Sequence, residues 1–367
     1  MARFEDVFSD ETKRGHKIQT SEYLSVGKYP IIDQGQAQIA GYTDLENGLF
    51  TEVPAIIFGD HTRIIKYVDS PFFLGADGVK VLKTKIGGTE YKYLFYCLQN
   101  AKIPNTGYNR HFKWLKEADI PLPSLEEQRR IAALLDKVSD LIAKRRAQLD
   151  KLDLLVKARF VEMFGDMVLN PMNWPEQPLE DMADIVSGIT KGRKTKETEL
   201  IEVPYMAVSN VKDGYIDWTT VKTILATKAE IEQYRLLPGD VLMTEGGDPD
   251  KLGRGAIIQQ PLENCIHQNH IFRVRLNENI LLSSYFAEFL HHQKAKQYFL
   301  RCAKQTTGIA SINMRQLKGL PTLVPPLDMQ YEFKGYIEKV DRSRYIISFS
   351  LEKLEMLRNA LMQQYFG

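Results

Sequence analysis

Residues 124–163 carry apolar side chains at the spacing of an amphipathic helix. Pro121 and Pro123 favour extended backbone just before it, and Ser124 and Glu127 stand at the spacing of a capping box. Apolar residues then recur in steps of three, four and one from Ile131 onward. The pattern predicts one helix about 60 Å long, at ~1.5 Å per residue. Its stripe is wider than the seam of a two-stranded coiled coil, so we expect the helix to need a packing partner.

The same segment occurs again 202 positions later. Without a gap, 12 of the 43 positions from Pro123 to Gly165 are identical to those from Pro325 to Gly367, where chance gives about two or three. We therefore interpret the chain as two copies of one plan, each a globular region followed by a long helix. The two helices are expected to pack on each other through these apolar residues: Leu134, Leu135, Val138, Leu149, Leu152, Ile337, Val340, Leu351 and Leu354.

The regions before the two helices predict a mixed α/β fold. Short β-rich runs bounded by Gly, Pro and Asp are YPIIDQ, PAIIFGD and GVKVLKT in the first region and DVLMTEG, RGAIIQQ and HIFRVRL in the second. Residues 91–100 and 283–301 read as helices that follow those strands. The predicted organisation is a first domain at 1–122, a first spacer helix at 123–165, a second domain at 166–325 and a second spacer helix at 326–367.

Composition narrows the class of protein. Apolar residues make up 44% and charged residues 26% of the chain, as in ordinary folded proteins. The three cysteines are far apart and form no CxxC pair, and no apolar run reaches the ~18–20 residues of a membrane helix. We therefore expect a cytoplasmic protein without disulfides. With 48 basic and 47 acidic side chains, any binding to nucleic acid must use local patches.

Catalytic and metal-binding motifs receive little support from the sequence. Neither a P-loop nor a GxGxxG following a strand is present. Asp60 and His61 pair an acid with a candidate base, but no nucleophile can be identified beside them. Glu245, Asp248 and Asp250 lack the order of a calcium-binding loop and predict a turn. We expect no cofactor and no metal on this chain, and no active site.

Several glycine-marked loops carry basic, amide and aromatic side chains of the kinds that contact DNA bases and phosphates. The predicted DNA-binding residues of the first region are His61, Arg63, Tyr108, Asn109 and Arg110. Those of the second region are Lys191, Arg193, Lys194, Arg254, Gln268, Asn269, Thr306, Thr307, Ser311 and Asn313. For any single loop a solvated surface turn is an equally good reading, but all of them lie in the variable part of a duplicated plan.

These segments together resemble one known family. PLPSLEEQRRIAALLDKVSDLIAKR and VPPLDMQ resemble the starts of the two spacer helices of specificity subunits from type I restriction–modification enzymes. VPYMAVSNVKDGYIDW, LMTEGGDPDKLGRG, HQNHIFRVR, TTGIASINMRQLK and KYPIIDQGQ resemble segments of that family's target-recognition domains.

The resemblance implies a non-catalytic subunit with two target-recognition domains held apart by two antiparallel helices. Each domain would read one half of a bipartite, asymmetric target in double-stranded DNA. Two adenine-N6 methyltransferase subunits and the nuclease/translocase subunits would be its partners, and those partners would use S-adenosylmethionine, ATP and Mg²⁺. Two alternatives stay open: a DNA-acting nuclease or methyltransferase with its own active site, and a coiled-coil scaffold that does not bind DNA.

Overall fold

The computed structural model describes residues 1–75, 77–194, 197, 199–248, 252–306 and 309–367. The chain divides into two compact units. The first unit comprises residues 1–147 and 347–367, and the second comprises residues 148–346. The mixed α/β class predicted from the sequence is confirmed in both units. Within the described part of the chain, no helix is long and apolar enough to cross a membrane.

The first unit is built from short strands around a small helical layer. Its strands are β1 (Ala2–Arg3), β2 (Phe8–Asp10), β3 (Tyr29–Ile32), β4 (Gly41–Thr43), β5 (Ala55–Gly59), β6 (Ile65–Val68), β7 (Phe73–Leu74), β8 (Val79–Thr84) and β9 (Asp119–Ile120). Its helices are α1 (Phe4–Val7), α2 (Tyr91–Gln99), α3 (Phe112–Leu115) and the first part of α4 (Leu125–Phe164).

The second unit follows the same plan with additional strands. Its strands are β10 (Glu176–Pro178), β11 (Ala183–Ser187), β12 (Ile201–Met206), β13 (Lys222–Ala226), β14 (Val241–Thr244), β15 (Gly246–Gly247), β16 (Gly255–Ile257), β17 (Ile266–His267), β18 (Ile271–Leu276), β19 (Lys304–Thr306), β20 (Ile309–Ser311) and β21 (Pro321–Leu323). Its helices are α5 (Lys228–Tyr234), α6 (Ser283–Leu290), α7 (Gln293–Cys302), α8 (Met314–Lys318) and the first part of α9 (Leu327–Phe366).

The sheets repeat between the units strand for strand. A four-stranded antiparallel sheet has the order β2-β8-β5-β6 in the first unit and β11-β18-β14-β16 in the second. A three-stranded sheet, β4-β3-β7 or β13-β12-β17, has one antiparallel and one parallel neighbour in both cases. The strands predicted from the β-rich runs therefore form, and the central strand β5 is buried along its whole length.

The two long helices reproduce the sequence repeat. Both α4 and α9 contain 40 residues, and their first and last residues are separated by the 202-residue offset. In the first unit Arg146 Nη2 lies 2.6 Å from Glu355 Oε1. In the second unit Arg344 Nη2 lies 2.7 Å from Asp153 Oδ1. In the first unit the α9 partner moves from Tyr365 to Glu355 as α4 advances from Arg130 to Arg146. In the second unit it moves from residue 344 to residue 332 as α4 advances from residue 153 to residue 159. Within each unit the two helices therefore run antiparallel, as predicted.

Each long helix has a buried glutamine in its first turn, and the two glutamines make equivalent hydrogen bonds. Gln128 Nε2 donates to Pro123 O at 2.9 Å, and its Oε1 accepts from Glu90 N just before α2. Gln330 repeats this with Pro325 O at 2.8 Å and with Leu282 N just before α6. These glutamines satisfy backbone groups that would otherwise be buried without partners. They fix the first turn of each long helix to the helix that packs beneath it.

The capping prediction at the first long helix is half realised. Ser124 Oγ accepts a hydrogen bond from Glu127 N at 3.3 Å. The carboxylate of Glu127 binds the guanidinium of Arg130, with Nε 2.8 Å from Oε2, instead of returning to the backbone of Ser124. An ion pair with a neighbour on the same helix face has therefore replaced the second half of the capping box.

The predicted helix at 283–301 is wrong in one respect, because it is two helices. α6 ends at Leu290 and α7 begins at Gln293. His291 Nδ1 lies 3.0 Å from Asp213, and the ring of His292 packs 5.8 Å from that of Phe160. These contacts with distant segments hold the two histidines in a turn between α6 and α7. No glycine or proline stands beside this turn, so the local sequence does not predict it.

The apolar residues predicted to pair the helices are covered to different degrees. Leu135, Val138 and Val340 are buried. The other six are half-buried: Leu134, Leu149, Leu152, Ile337, Leu351 and Leu354. The helix ends are anchored most firmly. Ile131 and Met362 lie in the core of the first unit, and Phe160, Phe164 and Phe333 lie in that of the second.

Candidate nucleic-acid interface

In the first unit, three loops meet at the end of the central strand β5. Asp60, the residue after β5, donates its N–H to Gly78 O at 2.7 Å, and its own carbonyl accepts from His111 N at 2.8 Å. Its buried carboxylate accepts from Phe112 N at 2.7 Å, at the start of α3. Asp60 therefore caps a helix and joins the loops. This use of the carboxylate gives no support to the alternative in which Asp60 and His61 form a catalytic pair.

An aromatic stack stands on this framework. The rings of His61 and Tyr108 are stacked, with centroids 4.7 Å apart and an interplanar angle of 9°. Tyr108 is 87% exposed, so its other face is open. Asn109 Nδ2 donates to Thr106 O at 2.5 Å and shapes the loop that carries the tyrosine. The structure thus brings together three of the predicted residues, His61, Tyr108 and Asn109.

Gln34, which the sequence prediction omitted, braces the same loops. Its side-chain oxygen accepts from His61 N at 3.1 Å, and its Nε2 donates to Asp77 O at 3.0 Å. Thr62 Oγ1 also donates to Gln34 O at 2.6 Å. This role could not be predicted from the sequence, because the three loops come together only in the folded chain.

The two predicted arginines of the first unit are placed differently. Arg63 has a φ of +62° and its guanidinium is directed to Ile103 O at 3.5 Å, so it turns back toward the chain. Arg110 is exposed. A hydrogen bond from Lys17, and to a smaller extent the charge of Arg110, lowers the pKa of the Asp77 carboxyl. Arg110 is therefore the basic group that remains available at the loop tip.

In the second unit the equivalent loops carry different side chains. Glu245 occupies the place of Asp60: its N–H donates to His270 O at 3.0 Å and its carbonyl accepts from Ile312 N at 2.9 Å. Its carboxylate lies 2.6 Å from His270 Nδ1. Asn269 Nδ2 lies 3.4 Å from His270 Nε2. Asn269 is thus the predicted residue that joins this cluster, through its contact with His270.

The basic side chains of the loop after β11 differ in their contacts. Lys191 and Lys194 are exposed. Arg193 is held by Glu230, with Nε 2.5 Å from Oε1, and it also donates to Leu225 O at 3.2 Å. The Arg193 hydrogen bond lowers the pKa of the Glu230 carboxyl. The Arg193 guanidinium therefore ties the loop to α5, and the two lysines are the free cations of the described part of this loop.

The remaining predicted residues of the second unit have mixed positions. Gln268 Oε1 accepts from Val208 N at 3.3 Å, and Asn313 Oδ1 accepts from Gln316 N at 2.9 Å as the cap of α8. Ser311 lies in β20 opposite Gly246. Arg254 is half-buried, and its Nε has no hydrogen bond within the described part of the chain. Thr306 lies in β19, and Thr307 lies outside the described residues.

Metal binding finds no support in the described ranges, which contain no group of His, Cys, Asp or Glu arranged to hold an ion. Glu245 is engaged with His270, whereas Asp250 lies outside the described residues. Buried His267 donates its Nδ1–H to Ile271 O at 3.1 Å, and burial lowers the pKa of this ring to about 3, so it stays neutral. Like Gln34 in the first unit, Glu245 and His270 are site residues that the predicted DNA-binding set left out.

Two copies of one α/β plan, each ending in a cluster of polar and aromatic loops, define a duplicated binding protein. The family model of the type I restriction modification DNA specificity domain matches residues 1–152 and 171–356. The chain belongs to this family.

Relatives and solved structures agree with that assignment. The chain is 27% identical over 197 residues to the putative type I restriction enzyme MjaX specificity subunit of Methanocaldococcus jannaschii, covering 53% of this chain and 46% of the relative. It is 23% identical over 387 residues to the EcoR124I/EcoR124II specificity subunit of Escherichia coli, covering 98% and 91%. The alignment thus spans less than half of the first relative and nearly all of the second.

Two solved structures share the fold. The S subunit of a type I restriction-modification system from M. genitalium superposes with a TM-score of 0.61 at 16% identity, covering all of this chain and 95% of that one. A chain from a study of assembly and conformational transition in the type I R-M system gives 0.55 at 18% identity, covering all of this chain and 96% of that one. At these identities the likeness concerns the fold.

Proposed function

We propose that this chain is the specificity subunit of a type I restriction–modification complex. It recognises a bipartite, asymmetric sequence in double-stranded DNA, with one half read by each unit. It performs no chemistry itself. Two adenine-N6 methyltransferase subunits and the nuclease/translocase subunits bind to it, and the complex acts in the cytoplasm.

One observation carries this proposal: the two units keep one framework and change the side chains at its loop end. Asp60 and Glu245 occupy equivalent positions, because both follow the central strand and make the same two backbone hydrogen bonds. The neighbouring positions hold Gly78 in the first unit and His270 in the second. A constant scaffold with variable loops is the arrangement expected of two readers with different targets.

The chemistry of the loops suits DNA. Exposed Tyr108 and Arg110 in the first unit, and exposed Lys191 and Lys194 in the second, supply stacking and phosphate-binding groups. Amide side chains such as Asn269 read adenine in the major groove. The chain's net charge of only +1 indicates that partner subunits supply part of the phosphate contact.

The long helices supply the surface for the partner proteins. Large apolar side chains remain exposed on them: Leu141, Phe349, Met356 and Leu357 in the first unit, and Leu154, Leu155, Val161, Tyr331, Tyr345 and Ile346 in the second. Such exposure is typical of protein–protein contact surfaces. In the second unit a groove of about 890 Å³ is lined by Ile337, Tyr345 and Ile346 and by charged Lys334 and Glu338. We assign this helical surface to the methyltransferase subunits.

The cofactors belong to the partners in this proposal. S-adenosylmethionine is assigned to the methyltransferase subunits, and ATP and Mg²⁺ to the nuclease/translocase subunits. The assignment is supported by the family membership of the chain and not by any feature of its own loops.

The test is reconstitution with the methyltransferase subunits. The purified complex should methylate adenine at one bipartite sequence in the presence of S-adenosylmethionine, and mapping of methyladenine across genomic DNA reads out both halves. Methylation without a consensus, or methylation by the isolated chain, would contradict the proposal.

Variants in the two units separate the two readers. Tyr108→Ala should weaken recognition of one half of the target, and Arg254→Ala or Arg193→Ala that of the other half. Since Arg193 is bound to Glu230, its replacement should act by loosening the loop that carries Lys191 and Lys194. Equal damage to both halves from any one substitution would rule out independent readers.

A further inference from the structure

Asp60 and Glu245 occupy equivalent positions, but their carboxylates have different structural roles in the two units. In the first unit, α3 has no cap from its own N-terminal residue, His111, and the Asp60 carboxylate binds Phe112 N in its place. In the second unit, α8 is capped by its own Asn313. The Glu245 carboxylate is therefore released from a structural duty that its counterpart performs.

The Glu245 carboxylate instead binds His270, which has no counterpart side chain in the first unit. His270 Nδ1 lies 2.6 Å from Glu245 Oε2, whereas the equivalent position of the first unit is Gly78. The side chain of His270 is 57% exposed, and that of Glu245 is 34% exposed. A single hydrogen bond between two side chains this exposed contributes little to folding stability, about 1 kcal/mol or less. Stability therefore does not account for this arrangement.

The hydrogen bonds orient the cluster for an outside ligand. With Nδ1–H donating to Glu245 and Nε2 accepting from Asn269 Nδ2, the His270 ring fixes both neighbours. Glu245 Oε1 has no hydrogen bond within the described ranges, so it remains an acceptor. A carboxylate at a DNA-facing surface repels phosphate, so it is useful there only where it meets a donor group on a base.

We infer that Glu245 reads an exocyclic amino group in the second half of the target, with His270 as the residue that positions it. The amino group is cytosine N4 or adenine N6, the two N–H donors that bases present in the major groove. This inference rests on the proposed function and adds the base chemistry that one residue selects.

The experiment uses the full chain in complex with its methyltransferase subunits and duplexes carrying the mapped target. Each cytosine of the second half is replaced in turn by 2-pyrimidinone, and each adenine by purine, so that single amino groups are removed. For the unaltered protein, removal at one position should weaken binding about tenfold. The base at that position distinguishes cytosine from adenine.

Glu245→Leu, which removes both acceptor oxygens, should abolish that single discrimination while leaving the first half of the target read as before. It should also strengthen binding to non-specific duplex, because a negative charge has left the interface. A merely structural role would instead lower binding to every duplex. Glu245→Asp, which keeps the charge and withdraws the carboxylate by one methylene, should lose the same discrimination.

Glu232→Leu is the matched control, since Glu232 is an exposed acid of α5 that pairs with Arg235. It should leave the base preferences unchanged. If Glu245→Leu keeps every preference of the unaltered protein, the inference is overturned and the proposed function stands. If the unaltered complex prefers no bipartite sequence, the proposed function fails, and this inference falls with it.

Discussion

Single polar residues decide where the long helices are attached. Gln330 is fully buried and binds Pro325 O, Ile280 O and Leu282 N, three backbone groups from two segments. Tyr285 Oη donates to Leu323 O at 3.0 Å in the same unit, as Tyr93 does to Pro121 O at 2.9 Å in the other. These residues act as fixed joints because each buried backbone group they satisfy is costly to leave unpaired.

Gln330→Ala should lower the free energy of unfolding by about 3 kcal/mol, since it leaves three buried backbone groups without their partner. Urea denaturation followed by circular dichroism measures the change. Gln297→Ala, an exposed position on α7, is the control and should change stability by less than about 0.5 kcal/mol. Equal losses of unfolding free energy from the two substitutions would show that Gln330 does not fix the start of the helix to the rest of the unit.

A half-buried acid in the second unit, Glu288, makes stability depend on pH. Burial raises the pKa of Glu288, and the nearby carboxylates Asp153 and Asp213 add to the rise, while His291 and Lys157 oppose it. A raised pKa means that the folded protein binds this proton more tightly than the unfolded chain does. The resulting stabilisation is complete below the ordinary value of 4.5 and is lost as the pH rises through the raised pKa.

Glu288→Gln should therefore raise the urea midpoint at pH 7 and leave it nearly unchanged at pH 4. The amide cannot ionise, so the cost of a buried charge disappears. Glu232→Gln, at an exposed acid, should shift the two midpoints equally. A larger gain at pH 4 than at pH 7 would reverse the assigned direction of the pKa.

Sequence reasoning at this scale identified residue types better than residue roles. Tyr108 and Asn269 could be chosen because amide and aromatic groups beside glycine are typical of binding loops. The capping role of Asp60 could not, because its partner Phe112 is 52 positions away and meets it only in the folded chain. Asn313 and Arg193 likewise have partners inside the protein that their loop composition does not reveal.

At the scale of elements, the repeat was the informative signal. The offset of 202 predicted the two long helices and their pairing, and both helices have the same length. The helix predicted at 283–301 was broken by contacts of His291 and His292 with distant residues. The spacing of apolar residues indicates where the chain prefers to be helical. It does not indicate where contacts with a distant segment will break the helix.

The end of α4 is held by an aromatic cluster in the second unit. Phe333 is fully buried, with its ring 5.4 Å from that of Phe160 and 5.5 Å from that of Phe164. Phe333→Ala should lower the unfolding free energy by about 3–5 kcal/mol, because it removes a large side chain from a packed core. Calorimetry or urea denaturation gives the value.

Phe349→Ala is the control for this substitution, because Phe349 lies on the same helix and is 53% exposed. It should cost less than about 1 kcal/mol. A comparable loss from both variants would mean that the aromatic cluster does not anchor the helix.

At the scale of the whole molecule, helix length is the quantity open to test under the proposed function. Removing residues 143–149 from α4 together with the equivalent 345–351 from α9 shortens both helices by about 10 Å. The target should keep both half-sequences and lose about three base pairs between them, at ~3.4 Å per base pair. Methyladenine mapping reads the new gap.

Removing the segment from α4 alone is the control, because it deletes Arg146, the partner of Glu355, and leaves two antiparallel helices of unequal length. That variant should fail to assemble with the partner subunits. An unchanged gap in the doubly shortened protein would show that the helices do not measure the distance between the half-sequences.

The ends of the two helices occupy equivalent positions in their units, and this has a consequence for shorter forms of the chain. Met362 and Phe366 complete the first unit, where Phe366 packs 5.3 Å from Tyr93, and Phe160 and Phe164 stand 202 positions earlier, where Phe164 packs 4.9 Å from Tyr285. A polypeptide of residues 1–165 lacks the former pair and carries the latter. Two such polypeptides would complete each other as a homodimer, visible by light scattering. Because its readers are identical, a complex built on it would select a palindrome.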